Sequence, residues 1–220
     1  MSNIKNAEFI RQAKNIRRVC PVFHKVFWAD KKVTKALLSV SALGFYEAYI
    51  NGKRVGNFIF APGWTSYETR LQYQVYNVTS LIEECNEIDI ALGIGRRFHK
   101  RKNEDREYLA SGEAALIAAL EITYDDGSVE NVYTDGTWEG FKSNILYSDI
   151  YNGETVDFNA DTEEKIKIKT VPADKDILIP TEGEETREMA RIEEPRLIVT
   201  PKGEFVLDFR QNLTGYVEWL

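Results

Sequence analysis

The stretch from Phe45 to Leu81, FYEAYINGKRVGNFIFAPGWTSYETRLQYQVYNVTSL, constrains this chain more than any other. Tyr46, Ala48 and Ile50 alternate with Glu47 and Tyr49, the two-residue period of a strand with one face in a core. Asn51-Gly52 follows, the pair that tolerates the positive φ of a type I′ hairpin turn. The segment Phe60 to Arg70, FAPGWTSYETR, is too aromatic for a plain solvated connection. From Leu71 a new alternation begins, with Leu71, Tyr73 and Val75 set against Gln72, Gln74 and Tyr76. A tight hairpin, an ordered aromatic corner and a third strand commit the chain to β-structure.

The flanking sequence agrees. Val22, His24, Val26 and Trp28 alternate with Phe23, Lys25 and Phe27 in a first strand. In a longer one, Ala36, Leu38, Val40 and Ala42 face inward, and Gly44 breaks it. Val78 to Ile82 predicts a short helical turn, and Ile88, Ile90 and Leu92 line another strand that ends at Gly93-Ile94-Gly95. Glu113 to Tyr124 fits helix by composition and strand by the alternation of Leu116, Ala118, Leu120, Ile122 and Tyr124. The Asp125-Asp126-Gly127-Ser128 turn and the β-rich SVENVYT after it decide for a hairpin. Trp138 to Lys142 and Ile145 to Ser148 are further short strands, and Asp149 to Asp157, DIYNGETVD, reads as a polar aromatic loop.

Some eight or nine short strands with almost no helix predict an all-β fold, a jelly-roll or galactose-binding-like β-sandwich, with the Phe45 hairpin at its centre. The expected division is a lead-in over 1–20, with one short amphipathic helix, and the sandwich over 21–160. A linker or extended arm follows over 161–190, where acidic and Pro-containing segments gather. The first strands of a second β-domain occupy 191–220: Arg196 to Thr200, a Pro201-Lys202-Gly203 turn, Glu204 to Phe209, and Thr214 to Leu220. The last run stops without a closing turn, so the natural protein is expected to continue past Leu220.

With 220 residues and a formal net charge of -7, the chain is large enough for a core and lacks the basic surface that phosphate binding needs. No nucleic-acid partner is expected. No run approaches membrane-spanning length and the N-terminus lacks an apolar signal region, so no membrane partner and a cytoplasmic location are expected. Cys20 and Cys85 are too sparse for a disulfide framework and read as reduced thiols. His24 and His99 have no companion at ligand spacing, and neither a metal nor a cofactor is predicted. The basic run RRFHKRK, residues 96–102, is followed at once by acidic residues and reads as a solvated loop.

The runs AYINGKRVG, FAPGWTSYETRLQYQVY, NVTSLI and NEIDIALGIG resemble the N-terminal sandwich domain of bacterial α-L-rhamnosidases. SDIYNGETVDF and FVLDFRQNLTGYVEW look like that family's next two landmarks, the second opening its following β-domain. Two departures stand out. Gly93-Ile94-Gly95-Arg96-Arg97-Phe98 lacks the family's Asn between the glycines and the Trp after them, and Arg210 replaces a Gly before Gln211-Asn212. Arg avoids positive φ, so a changed backbone is expected there. The resemblance implies a glycoside hydrolase whose chemistry resides downstream, in an (α/α)6 barrel where one carboxylic acid protonates the glycosidic oxygen and a carboxylate activates water, with inversion. On this reading residues 1–220 hold no catalytic pair. The partners are the downstream catalytic domain of the same chain and a rhamnose-containing glycan or glycoside.

Two loops are candidate carbohydrate contacts. Trp64, with Tyr67, Tyr73, Glu68 and Arg70, could offer an aromatic platform to a pyranose; the favoured alternative is that Trp64 plugs the sandwich while Glu68 pairs with Arg70 or a neighbour across strands. Asp149, Tyr151, Asn152, Glu154 and Asp157 gather carboxylates and an aromatic that suit hydrogen bonds to a glycan or oxygen ligation of calcium, or else turn chemistry around Asn152-Gly153. On the ligand reading, this second loop forms a lip over an active site on another domain.

Overall fold

The structure, a computed structural model, describes residues 2–14, 20–95, 114–150 and 153–218. In chain order, a 3-10 turn at Ile4–Asn6 is followed by β1 (Phe9–Gln12), β2 (Val22–Trp28), β3 (Val33–Leu43), β4 (Phe45–Ile50) and β5 (Lys53–Arg54). After β6 (Leu71–Asn77) and a second 3-10 turn (Thr79–Leu81) come β7 (Cys85–Gly93), β8 (Ala115–Tyr124), β9 (Val129–Tyr133) and β10 (Glu139–Phe141). β11 (Ile145–Asp149), β12 (Gly153–Val156), β13 (Lys165–Ile166), β14 (Ile168–Val171) and β15 (Leu178–Pro180) complete the first of two units, which ends at Thr186. β16 (Arg196–Val199) and β17 (Phe205–Asp208) belong to the second. There are more strands than the eight or nine expected, because the segments before Val22 and after Asp161 also supply them.

The first unit is a sandwich of two mainly antiparallel sheets. One runs β14-β1-β8-β3-β6-β15, with β9 also on β8; the other runs β13-β10-β2-β7-β4-β5. Between them, Phe23, Leu38, Ile50, Ile90, Leu120 and Trp138 are buried in a single core. The alternation in β3 and β4 drives this: Ala36, Leu38, Val40 and Ala42 on one side, Tyr46, Ala48 and Ile50 on the other, all buried. Gly44 (φ +147) lets the chain cross from one sheet to the other, and a Cβ there would lie 2.3 Å from Gly93 O. Asn51 and Gly52 both have positive φ (50° and 72°), as a type I′ turn requires. The hairpin they close lies at an edge of the second sheet, not at its centre, because β7 takes the other side of β4.

A second, smaller core covers the outer face of the first sheet. Ile4, Phe9, Leu71, Ile117, Ala119 and Leu178 are buried there, with Tyr67 and Tyr73 packed against them. This core corrects the expectation of an N-terminal helix: Phe9 belongs to the outer core and Ile10 to the inner one, so both faces of β1 are buried and the chain runs as a strand against β14 and β8. It also explains why the stretch 165–180 is bound into the sandwich. β13 pairs with β10, β14 with β1, and β15 runs parallel to β6, placing Leu178 opposite Leu71.

In the second unit, β16 and β17 form a hairpin from Arg196↔Asp208 to Val199↔Phe205, closed by Thr200 N donating to Glu204 O at 2.9 Å. The expected third strand is absent over residues 214–218. Arg210 does adopt positive φ (60°), contrary to expectation, and its N–H donates to Asp208 Oδ1 at 2.8 Å. That bond holds the left-handed conformation despite a side-chain cost of about 1–2 kcal/mol.

Candidate functional site

The strand directions place both candidate loops at the same end of the sandwich. β4 starts there at Phe45, β7 ends there at Gly93 opposite it, and β6 starts there at Leu71. The 55–70 loop joins β5 to β6 at this end. Phe141, paired with Val22 at the start of β2, sends the chain out of the same end into β11 and β12. A run of contacts links the two. Phe60, held at φ 65°, sets its ring 5.4 Å from Phe45; a Cβ on Gly93 would touch both Phe45 and the Cys20 sulfur; and the Cys20 thiol lies against Ser148.

Within the 55–70 loop the corner is plugged, but by Phe58 and Ala61, both buried in the main core. Trp64 is 71 % exposed and does not plug it. Tyr67 Oη donates to Gly63 O at 3.1 Å, and Tyr67 and Tyr73 lean into the outer core, so the three aromatics do not form one platform. Arg70 forms its ion pair with Glu182 rather than with Glu68, and Thr65 Oγ1 donates to Arg70 O at 2.5 Å. The loop is therefore pinned at its base and presents Trp64 outward.

The Asp149 to Asp157 stretch is a correction to the expected loop: its second half is β12, which turns back on β11 in a two-stranded ribbon outside both main sheets. Asp149 closes β11, paired with Gly153, whose φ of +80° serves the turn. Tyr151 and Asn152 lie outside the described residues, as do His99 and the basic run at 96–102. Glu154 Oε1 accepts from Ser148 Oγ at 3.2 Å. Asp157 donates its N–H to Asn144 O and accepts Asn159 N–H at Oδ1, both at 2.9 Å, so its carboxylate serves the turn that ends the ribbon. Beneath the ribbon, burial pushes the Cys20 thiol up to about 11, with the Glu154 charge adding to the effect and the Ser148 hydrogen bond opposing it. Both cysteines are free thiols, and Cys85 is exposed.

A depression of about 360 Å³ lies elsewhere. It is lined by Lys25, Trp28, Asp30, Glu130 and Tyr133, where β10 reaches along β2 only as far as His24 and leaves a gap facing β9. Trp28 is 56 % exposed, which its position opposite to buried Phe23 and Phe27 in the alternation could have signalled. The polar groups of this depression are largely committed. Glu130 accepts from Tyr124 Oη at 2.7 Å, Asp135 accepts Thr137 N–H at 2.8 Å, and Lys25 donates to Thr137 Oγ1 at 2.7 Å. His24 Nδ1 sits 2.8 Å from Asp89 Oδ1 on the outer face of the second sheet. No cluster of three or more His, Cys, Asp or Glu suited to a metal ion occurs among the described residues.

The profile of the α-L-rhamnosidase N-terminal domain matches residues 31–193, well over half the chain. The chain belongs to the α-L-rhamnosidase N-terminal domain family. An α-L-rhamnosidase of Streptomyces avermitilis is 32% identical over 205 residues, which cover 88% of this chain and 20% of that protein. The crystal structure of the α-L-rhamnosidase from Aspergillus terreus superposes with a TM-score of 0.83 at 27% identity, over 96% of this chain and 26% of that one. That of the Streptomyces avermitilis enzyme complexed with L-rhamnose gives 0.74 at 30% identity, over 89% and 20%. The chain thus spans about a fifth to a quarter of the rhamnosidases it matches. A lectin of Pleurotus ostreatus, at 20% identity and a TM-score of 0.54, shares the fold.

Proposed function

We propose that this chain is the non-catalytic N-terminal portion of a longer glycoside hydrolase that removes terminal α-L-rhamnosyl residues with inversion, its acid and base residing in a barrel downstream. One observation carries this: the match to α-L-rhamnosidases extends over nearly all of this chain and only about a fifth of theirs. The sandwich then acts as a folded support on which the catalytic portion is held, and residues from about 191 open a second β-domain. The exposed apolar hairpin β16–β17, with Leu197, Val199 and Phe205 in solvent, supports that boundary, since two strands alone are marginal in water. The test is hydrolysis of an aryl α-L-rhamnoside followed by NMR. A polypeptide carrying the downstream region is expected to release β-L-rhamnose first; release of the α-anomer would refute inversion, and no turnover would refute the assignment.

A second reading is favoured by the exposure of Trp64. With Glu154 and Asp157 of the ribbon at the same end of the sandwich, it would make the domain a carbohydrate-binding module in its own right. It predicts heat of binding with L-rhamnose that Trp64→Ala removes without altering the unfolding midpoint. A flat titration with L-rhamnose counts against it.

A further inference from the structure

The two outer faces of the sandwich are accounted for. That of the first sheet is covered by the second core, and that of the second carries exposed ion pairs such as Glu47–Arg54 and Glu139–Lys165 together with the His24–Asp89 contact. The loop end is different. It presents Phe60 at 52 % and Trp64 at 71 % exposure from one loop, and Leu146, Val156 and the 89 % exposed Phe158 from the ribbon and its exit. The ribbon belongs to neither sheet, and a two-stranded ribbon is marginal in water unless a face is covered. Aromatic residues crowded on one surface mark the buried centre of an interface rather than its rim.

We infer that this end, through Phe60, Trp64, Leu146, Val156 and Phe158, is the docking surface for the catalytic portion of the same polypeptide. The occupant follows from size. The rhamnosidases related to this chain are four to five times its length, so a mass several times larger than the sandwich is tethered to it at high effective concentration. A neighbouring domain packed on the ribbon gives Leu146 and Val156 the cover they lack in this chain. This inference rests on the functional reading above.

Hydroxyl-radical footprinting of the longer polypeptide tests it, with Trp28 and Val129, exposed away from this end, as internal references. Phe60, Trp64 and Phe158 are expected to oxidise about fivefold or more slowly than their exposure in this chain implies, at every protein concentration, as the core of an interface would. Phe158→Asp is expected to raise the reactivity of Trp64 several-fold and leave that of Trp28 unchanged. Three results overturn the proposal: no protection, protection that grows with concentration and so reports a second copy, or protection of Trp64 only when L-rhamnose is added. Activity of the same sample on an aryl α-L-rhamnoside separates the two readings. An active enzyme with an unprotected Phe158 refutes the docking surface alone; an inactive protein with full protection refutes the glycosidase assignment alone.

Discussion

Gln74 ties together three parts of the chain that are distant in sequence. Its amide donates to Pro62 O at 3.0 Å and to Thr181 Oγ1 at 2.9 Å, and its oxygen accepts from Tyr46 Oη at 2.6 Å, all in a nearly dry site. Burial, reinforced by Tyr76, drives the Tyr46 phenol well above its ordinary range, which keeps it a donor. Gln74→Ala strands these partners and is expected to cost about 2–4 kcal/mol in urea unfolding, more than a surface polar change would. Cys20 gives a pH signature. Its thiol titrates near 11 when folded and near 9.0 when free, so the folded state holds the proton more tightly. That stabilisation is complete below about pH 9 and is lost as pH rises towards 11, by up to about 2–3 kcal/mol. Stability that stays flat from pH 8 to 11, or that equals that of Cys20→Ala throughout, would contradict the burial. Alkylation at pH 8 is expected to modify Cys85 quickly and Cys20 only as the ribbon opens.

At the scale of elements, the crossing from β3 to β4 is the tightest joint. Gly44→Ala forces a Cβ onto Gly93 O and a side chain into positive φ, and is expected to destabilise the sandwich by about 3 kcal/mol or more. Gly127→Ala, also at positive φ but with open space around it, isolates the backbone term and is expected to cost about 1 kcal/mol. Equal effects would show that the close approach is relieved elsewhere. What was legible in the sequence follows from how many faces of a strand are buried. β3, β4 and β7 announce themselves because Leu38, Ile50 and Ile90 alternate with more polar neighbours. β1 shows no period of two because Phe9 and Ile10 enter different cores, and its spacing fits a short helix as well. β8 was ambiguous for the same reason, with Ile117 and Ala118 buried on opposite faces. β13, β14 and β15 are two to four residues long, too short to carry a pattern, and their partners lie far back in the chain. At the candidate site, composition singled out both aromatic loops but could not distinguish exposed Trp64 from buried Phe58, since neither lies in a periodic strand. That both loops share one end followed only from strand direction.

For the whole molecule, the chain is a sandwich with a second unit, and the proposed function assigns the chemistry to a downstream domain such as the longer rhamnosidases have room for. The loop end of the sandwich and the β16–β17 hairpin each expose several large apolar side chains. The most direct test of the central claim is hydrolysis of an aryl α-L-rhamnoside by these 220 residues alone, measured across pH. The expected result is no turnover above the uncatalysed rate at any pH. Turnover that Glu154→Gln or Asp157→Asn abolishes would place the catalytic carboxylates in this chain and contradict the account.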